Sequence, residues 1–203
     1  AKSKVLAEKD LEKIADKSFT VTSLRFSTAC GMSERLRLDL VLNDFVACAV
    51  ASKKITILSD GTPWRPLINI KDMARASDWA LRREAAGEFL AVNIGSNEWN
   101  YQVKDLAGAV AKVIPGVEVS INKDAPPDKR SYKVSFELFK RLAPDYQPKI
   151  DLMTTIKELK DGMEAMRFKD GDFRDSEFMR LKVLIHLRSK GLLTEKLEWA
   201  NKF

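Results

Sequence analysis

Residues 53–81 read KKITILSDGTPWRPLINIKDMARASDWAL, and this stretch decides the fold. The short apolar run Ile55 to Leu58 predicts a strand, which Ser59-Asp60-Gly61-Thr62-Pro63 breaks. A second apolar run, Leu67 to Ile70, predicts another strand. Beyond it Asp72 is placed to cap a helix on which Met73, Ala76, Ala80 and Leu81 fall near helical spacing. Trp64 and Arg65 stand between the turn and the second strand. An arginine beside an aromatic on a strand rim suits a planar, bidentate grip on phosphate or carboxylate. The plainer reading is a surface arginine packed on a tryptophan.

Strands and helices alternate outward from this segment. Upstream, Ala1 to Lys17 predicts an amphipathic helix with Val5, Leu6, Leu11 and Ile14 near one face. Phe19 to Phe26 alternates around β-branched residues and predicts a strand, running into the small residues Ser27-Thr28-Ala29-Cys30-Gly31, which allow a ligand close to the backbone. Leu38, Val41, Leu42, Phe45, Val46 and Ala49 predict a core-facing helix from about Asp39 to Ser52. Downstream, Glu88 to Ile94 predicts a strand, and Asn100-Tyr101 opens a helix carrying Val103, Leu106, Val110 and Val113 that Pro115-Gly116 ends. A strand at Val117–Ile121 and a loop at Lys123–Lys129 follow. Ser135 and Asp151 are expected to cap two further helices, the first stopped by Ala143-Pro144 and the second running from Leu152 to Met166. A last helix is expected over Asp175–Lys190, carrying Phe178, Leu181, Leu184 and Ile185 and closed by Gly191.

The composition narrows the function. With 203 residues and 45% hydrophobic content the chain buries a core. Its apolar runs fall short of the roughly 20 residues that span a membrane, so no membrane partner and a cytoplasmic setting are expected. A net charge of +6 is dispersed among acidic residues, which favours a solvated surface with a small anionic ligand over a nucleic-acid stripe. Cys30 and Cys48 are too few for a disulfide scaffold, and one histidine, His186, leaves no zinc set. Cys30 reads as a buried, inert thiol, and His186 as a packed side chain on an apolar helix. No Gly-x-Gly-x-x-Gly, Walker or Gly-x-Ser-x-Gly motif occurs.

Gly61-Thr62-Pro63-Trp64-Arg65, placed just ahead of a strand and an Asp-containing helix start, resembles the carboxyl-terminal half of the extended short-chain dehydrogenases/reductases, the NAD-dependent sugar-nucleotide epimerases and dehydratases. In that family this arginine holds the nucleotide diphosphate, a role the resemblance gives to Arg65; the next strand usually carries histidine where this chain has Asn69. The opening Ala1-Lys2-Ser3-Lys4 is similar to the family's Tyr-x-x-x-Lys helix, with Lys4 as its catalytic and cofactor-holding lysine and the tyrosine expected just before Ala1. Residues four apart share a helix face, so an ammonium there holds a cofactor ribose and favours a tyrosine's phenolate. Leu24-Arg25-Phe26 and the small residues after it resemble the lining of the nicotinamide end, implying cofactor contact for Ser27, Thr28 and Ala29. Arg35-Leu36-Arg37-Leu38-Asp39 leading to Asn43 resembles one branch, which implies substrate contact for Asn43 and Arg35. Asp128 and Arg130 resemble a pair that meets the diphosphate or ribose; taken alone, they could simply bridge each other at a loop edge.

The resemblance spans about 1–166 and implies an α/β fold: the C-terminal portion of a Rossmann-like doubly wound sheet interleaved with a small α+β substrate-binding lobe, with 167–203 a C-terminal helical extension. It also implies NAD, with NADP possible, a nucleotide-diphosphate sugar as substrate, and a homodimer in the intact protein. Because the chain opens at Ala1 directly into a helical pattern, it reads as starting in mid-domain, with its N-terminal Rossmann half missing. On that reading the isolated chain does not turn over and is prone to associate. Two alternatives stand beside it: a non-catalytic NAD- or anion-binding regulatory protein of the same fold, and an anion- or RNA-binding module.

Overall fold

The computed structural model describes residues 2–84, 88–122, 124–125 and 131–200, so Asp128 and Arg130 lie outside the described residues. In chain order the elements are α1 (Lys2–Ile14), β1 (Val21–Phe26), β2 (Thr28–Cys30), α2 (Val41–Ser52), β3 (Lys54–Ile57), β4 (Trp64–Asn69) and α3 (Ile70–Arg82). These are followed by β5 (Phe89–Ile94), β6 (Asn100–Gln102), α4 (Val103–Val113), β7 (Glu118–Ile121), α5 (Glu137–Leu142), α6 (Leu152–Ala165) and α7 (Arg180–Ser189). Three sheet pieces result. β1 pairs parallel with β5 from Val21↔Phe89 to Phe26↔Ile94, and β3 pairs parallel with β7. β2 runs parallel to β4, which pairs antiparallel with β6 on its other side. Helices between parallel strands make this a mixed α/β fold.

Two apolar clusters hold these layers. Ile68, Ala76, Trp79, Val92, Ile94 and Phe139 pack α3 and α5 on the β1–β5 sheet, with Trp79 edge-on to Phe139 at 5.5 Å between centroids. The larger cluster joins α2, α4 and α6 through Leu42, Phe45, Leu106, Val110, Ile156 and Leu159. α2 is apolar nearly all round because it lies in the middle of this cluster. Phe168 and Phe173, beyond the expected boundary at 166, belong to the same core.

The central segment differs from its sequence reading in ways that matter for the site. β4 begins at Trp64 rather than Leu67, because β6 pairs with it through Arg65↔Tyr101. Asn69, not Asp72, caps α3, its side chain accepting the Lys71 N–H at 2.9 Å. Asp72 is buried and holds a distant loop instead; Trp79 takes the inward place expected of Leu81, which is 87% exposed. β3 stops at Ile57 and leaves Leu58 exposed.

Other boundaries shift similarly. Asn100 and Tyr101 form β6 rather than opening α4. α2 starts at Val41, close to the expected start near Asp39, and ends at Ser52 as expected. Ser135 does not cap α5, whose N-cap Phe136 makes no side-chain cap; the Phe136 N–H goes to Asn97 at 3.0 Å. Asp151 does cap α6, accepting the Thr154 N–H at 2.7 Å. Gly191 takes φ +69 just past α7, as a helix-ending glycine does. α7 is shorter than expected and buries nothing, and His186 is exposed, not packed. α1 likewise keeps Val5, Leu6, Leu11 and Ile14 exposed. Among the described residues no helix is long and apolar enough to cross a membrane.

Candidate functional site

The chain changes sheet partner at Ser27. Its N–H and its hydroxyl both donate to the Ile94 carbonyl at 3.1 Å, closing the β1–β5 ladder, and Thr28 then pairs with Leu67 of β4. Where parallel strands end and the chain switches partner, a crevice opens beyond their carboxyl ends. Here it is a cleft of about 550 Å³. Thr28, Arg65, the residues leading into α2 (Asp39, Leu40, Val41, Asp44), the end of β3 and Arg174 line it. A cleft of this size suits a nucleotide-scale ligand.

Of the residues singled out in the sequence, Thr28 and Arg65 are thus brought together. The Thr28 hydroxyl makes no hydrogen bond among the described residues, whereas Arg65 places Nη1 at 2.8 Å from the Trp64 carbonyl. Ala29 sits in β2, half-buried and paired with Ile68. Lys4 is exposed on α1, which is tied to β1 by Glu8: Ser23 Oγ donates to it at 2.7 Å and Arg25 Nε at 2.9 Å. Lys4 lies one helical turn before Glu8 on α1.

Asn43 is buried in the first turn of α2 with both ends of its amide bonded to backbone, accepting from Gly31 N–H at 3.1 Å and donating to Arg37 C=O at 3.0 Å. Gly31 uses its freedom at φ +118 to make that bond, in a position where an added Cβ would stand 3.3 Å from the Asn69 amide. Asn69 in turn donates to Thr155 at 2.9 Å. Arg35 is not in the cleft; it lines a separate groove with Glu34, Glu177 and Arg180. Cys30 is buried as expected, its thiol directed at the Ile68 carbonyl and pushed up to about 12 by burial.

The charges on the cleft wall are organised in pairs. The Arg37 guanidinium bonds Asp39 at 2.6 Å and holds its carboxyl below the usual range. Arg174 donates to both Asp44 oxygens, at 2.9 and 2.7 Å, and its own pKa is raised by that carboxylate. Burial pushes the neighbouring Cys48 thiol up to about 11. Arg174 was not among the sequence candidates. Its one signal is that Phe173-Arg174 repeats the aromatic–arginine pairing of Trp64-Arg65.

A family model described as the NAD dependent epimerase/dehydratase family matches residues 1–95. Among solved structures, the chain is similar to UDP-glucose 4-epimerase from Bifidobacterium longum in complex with NAD+ and UDP (TM-score 0.67, 17% identity, 83% of this chain and 55% of that one). It is also similar to ADP-L-glycero-D-manno-heptose-6-epimerase from Helicobacter pylori (TM-score 0.65, 16% identity, 79% of this chain and 49% of that one). UDP-glucuronic acid 4-epimerase from Bacillus cereus, in complex with UDP-glucuronic acid and NAD, matches with TM-score 0.59 at 23% identity over 70% of this chain and 45% of that one. These likenesses establish a Rossmann-like α/β fold. The chain spans about half the length of the structures it matches.

Proposed function

We propose that the chain is part of an NAD-dependent nucleotide-sugar epimerase or dehydratase, with NADP the alternative cofactor. The observation that carries the reading is the shared cleft of Thr28 and Arg65, in a chain whose residues 1–95 match that family's model. NAD, when bound, would supply the hydride chemistry at a sugar carbinol. The chain's residues suit the nicotinamide end of such a cofactor, since the Thr28 hydroxyl lines the cleft just past β1 and the Lys4 ammonium is exposed on α1. The glycine-rich turn and the relay tyrosine, absent from these residues, are assigned to the rest of the parent protein, which also suits its expected homodimer.

Each side chain then has a physical task. Lys4 holds the cofactor ribose and favours the phenolate of the relay tyrosine. Arg65 grips the substrate diphosphate as a planar fork, and Arg130 and Asp128 close on it from the loop that lies outside the described residues. The start of α2 supports that placement, because Leu40 and Val41 line the cleft and the N-cap Leu40 provides no side-chain acceptor for the first-turn N–H groups. Asn43 contributes through the backbone that it ties, at Gly31 and Arg37, and Ser27 and Ala29 through the strand switch that sets Thr28. Arg35, in the neighbouring groove, is assigned to substrate charge rather than to the diphosphate itself.

The test is calorimetry and turnover on the protein expressed with its native upstream coding sequence. It is expected to bind NAD and to convert a nucleotide-diphosphate sugar, with Lys4→Met lowering turnover about 100-fold or more. Failure to bind either NAD or NADP would overturn the reading.

A further inference from the structure

The cleft carries a second arginine, supplied by the chain beyond residue 166. Phe173 is buried against Phe168 with ring centroids 5.8 Å apart, and Phe178 lies edge-on to Phe168 at 5.6 Å. These anchors bring residue 174 onto α2. There Arg174 is held at three points: Nε and Nη2 on the Asp44 carboxylate, Nη2 3.2 Å from Cys48 Sγ, and the guanidinium 5.3 Å over the Phe173 ring. A long side chain normally loses rotamer freedom when it grips a ligand; here that loss has already been incurred in folding. Its Nη1 makes no hydrogen bond among the described residues. The side chain is 50% exposed and lines the cleft that Arg65 and Thr28 also line.

We propose that Arg174 is a substrate-binding residue, its Nη1 edge taking an anionic oxygen of the diphosphate, with Asp44 as the positioning residue that aims it. The inference rests on the nucleotide-sugar reading above and extends the site into 167–203. A guanidinium fixed on one edge by a carboxylate presents its other edge in a defined plane, as recognition of a phosphate's paired oxygens requires. Arg65 and Arg174, which line the same cleft, then both meet the diphosphate's oxygens.

A purely structural clamp makes a different forecast. In that case Arg174→Ala and Asp44→Asn both loosen the fold and leave ligand affinity unchanged. On the proposal the two variants lower the thermal midpoint alike but part on affinity. Removing Arg174 deletes a charged donor, whereas Asp44→Asn keeps the guanidinium and loses the carboxylate that aims it. The experiment is calorimetric titration with UDP of the protein expressed with its native upstream coding sequence, and of its Arg65→Ala, Arg174→Ala, Arg174→Lys and Asp44→Asn variants. Arg174→Ala is expected to bind about tenfold more weakly, Arg174→Lys to fall between it and the wild type, and Asp44→Asn, whose guanidinium is present but no longer aimed, to bind more weakly than wild type and more tightly than Arg174→Ala. If Arg65→Ala weakens binding while Arg174→Ala and Arg174→Lys bind as wild type does, the role of Arg174 is overturned and the cleft reading stands. No UDP binding by the wild type, or none lost in Arg65→Ala, would sink both. Should Arg174→Ala fail to fold, Arg174→Lys binding UDP like the wild type would overturn the inference.

Discussion

The Asp72 carboxylate accepts the backbone N–H of Ile150 at 3.1 Å, and its other oxygen accepts that of Lys149 at 3.0 Å. Arg75 stands 3.4 Å from the same group. A carboxylate that is 1% exposed and satisfied in this way fastens the segment ahead of α6 to the start of α3, and so sets where α6 packs on α2. Asp72→Ala leaves two backbone donors without their acceptor and is expected to cost about 2–4 kcal/mol. Asp72→Asn, which keeps one acceptor oxygen, is expected to cost less. Urea unfolding of the two variants checks the order; equal stability of Asp72→Ala and wild type would refute it.

That bond also explains which parts of the fold were legible in the sequence. Strand and helix order followed from local signals: β-branched alternation at Val21–Phe26, the turn at Ser59–Pro63, the cap at Asp151. Asp72 looked like a cap because capping is also a local signal, yet its true partners lie 77 and 78 residues away. Trp64 and Arg65 joined β4 only because Gln102 and Tyr101 of β6 arrive from 38 and 36 residues on to pair with them, a tertiary event that propensity does not carry. Arg174 was hidden for the same reason, its Asp44 partner being 130 residues distant. The exposed stripes of α1 and α7 show the converse: their spacing is helical, but spacing alone does not say whether anything covers the face.

Glu8 gives a pH-dependent signature. Its hydrogen bonds from Arg25 and Ser23 lower its pKa from 4.5 to about 2. The folded state therefore binds its proton less readily than the unfolded chain. The resulting stability is fully present above pH 4.5 and is lost as the pH falls through about 2. Thermal unfolding of wild type and Glu8→Gln is expected to show a gap that is constant from neutral pH down to about 5 and closes in acid. A gap that persists unchanged at the acid end would contradict the Glu8–Arg25 tie as its source.

The two cysteines offer a probe of global opening. Cys30 is 1% exposed with its thiol pushed up to about 12, and Cys48 is 7% exposed with its thiol pushed up to about 11. Burial is the leading cause in both, so neither forms an appreciable thiolate in the folded chain near neutral pH. A water-soluble disulfide reagent at pH 8 is expected to label neither in the folded chain and both in urea. Asp44→Asn removes a negative neighbour of Cys48 and is expected to speed labelling of that thiol more than of Cys30. Rapid labelling of Cys30 in native buffer would show that β2 is not packed on β4 as described.

Gly95 links packing directly to the strand switch. It follows β5 at the point where Ser27 closes the ladder, and a Cβ placed there would stand 2.6 Å from Ser27 Oγ and 2.7 Å from the Phe136 ring. Neither neighbour yields easily, because the hydroxyl is bonded to the Ile94 carbonyl and Phe136 is 2% exposed. Gly95→Ala is therefore expected to destabilise the fold by about 1–3 kcal/mol. It should also displace Ser27, and with it the Thr28 edge of the cleft. Adding Ser27→Gly removes the nearer obstacle and leaves the ring, so the double variant should recover part of the loss despite the flexibility that a second glycine brings. Thermal midpoints measured for the single and double variants decide the matter: no recovery at all would place the strain at Phe136 alone and detach Gly95 from the geometry of the cleft.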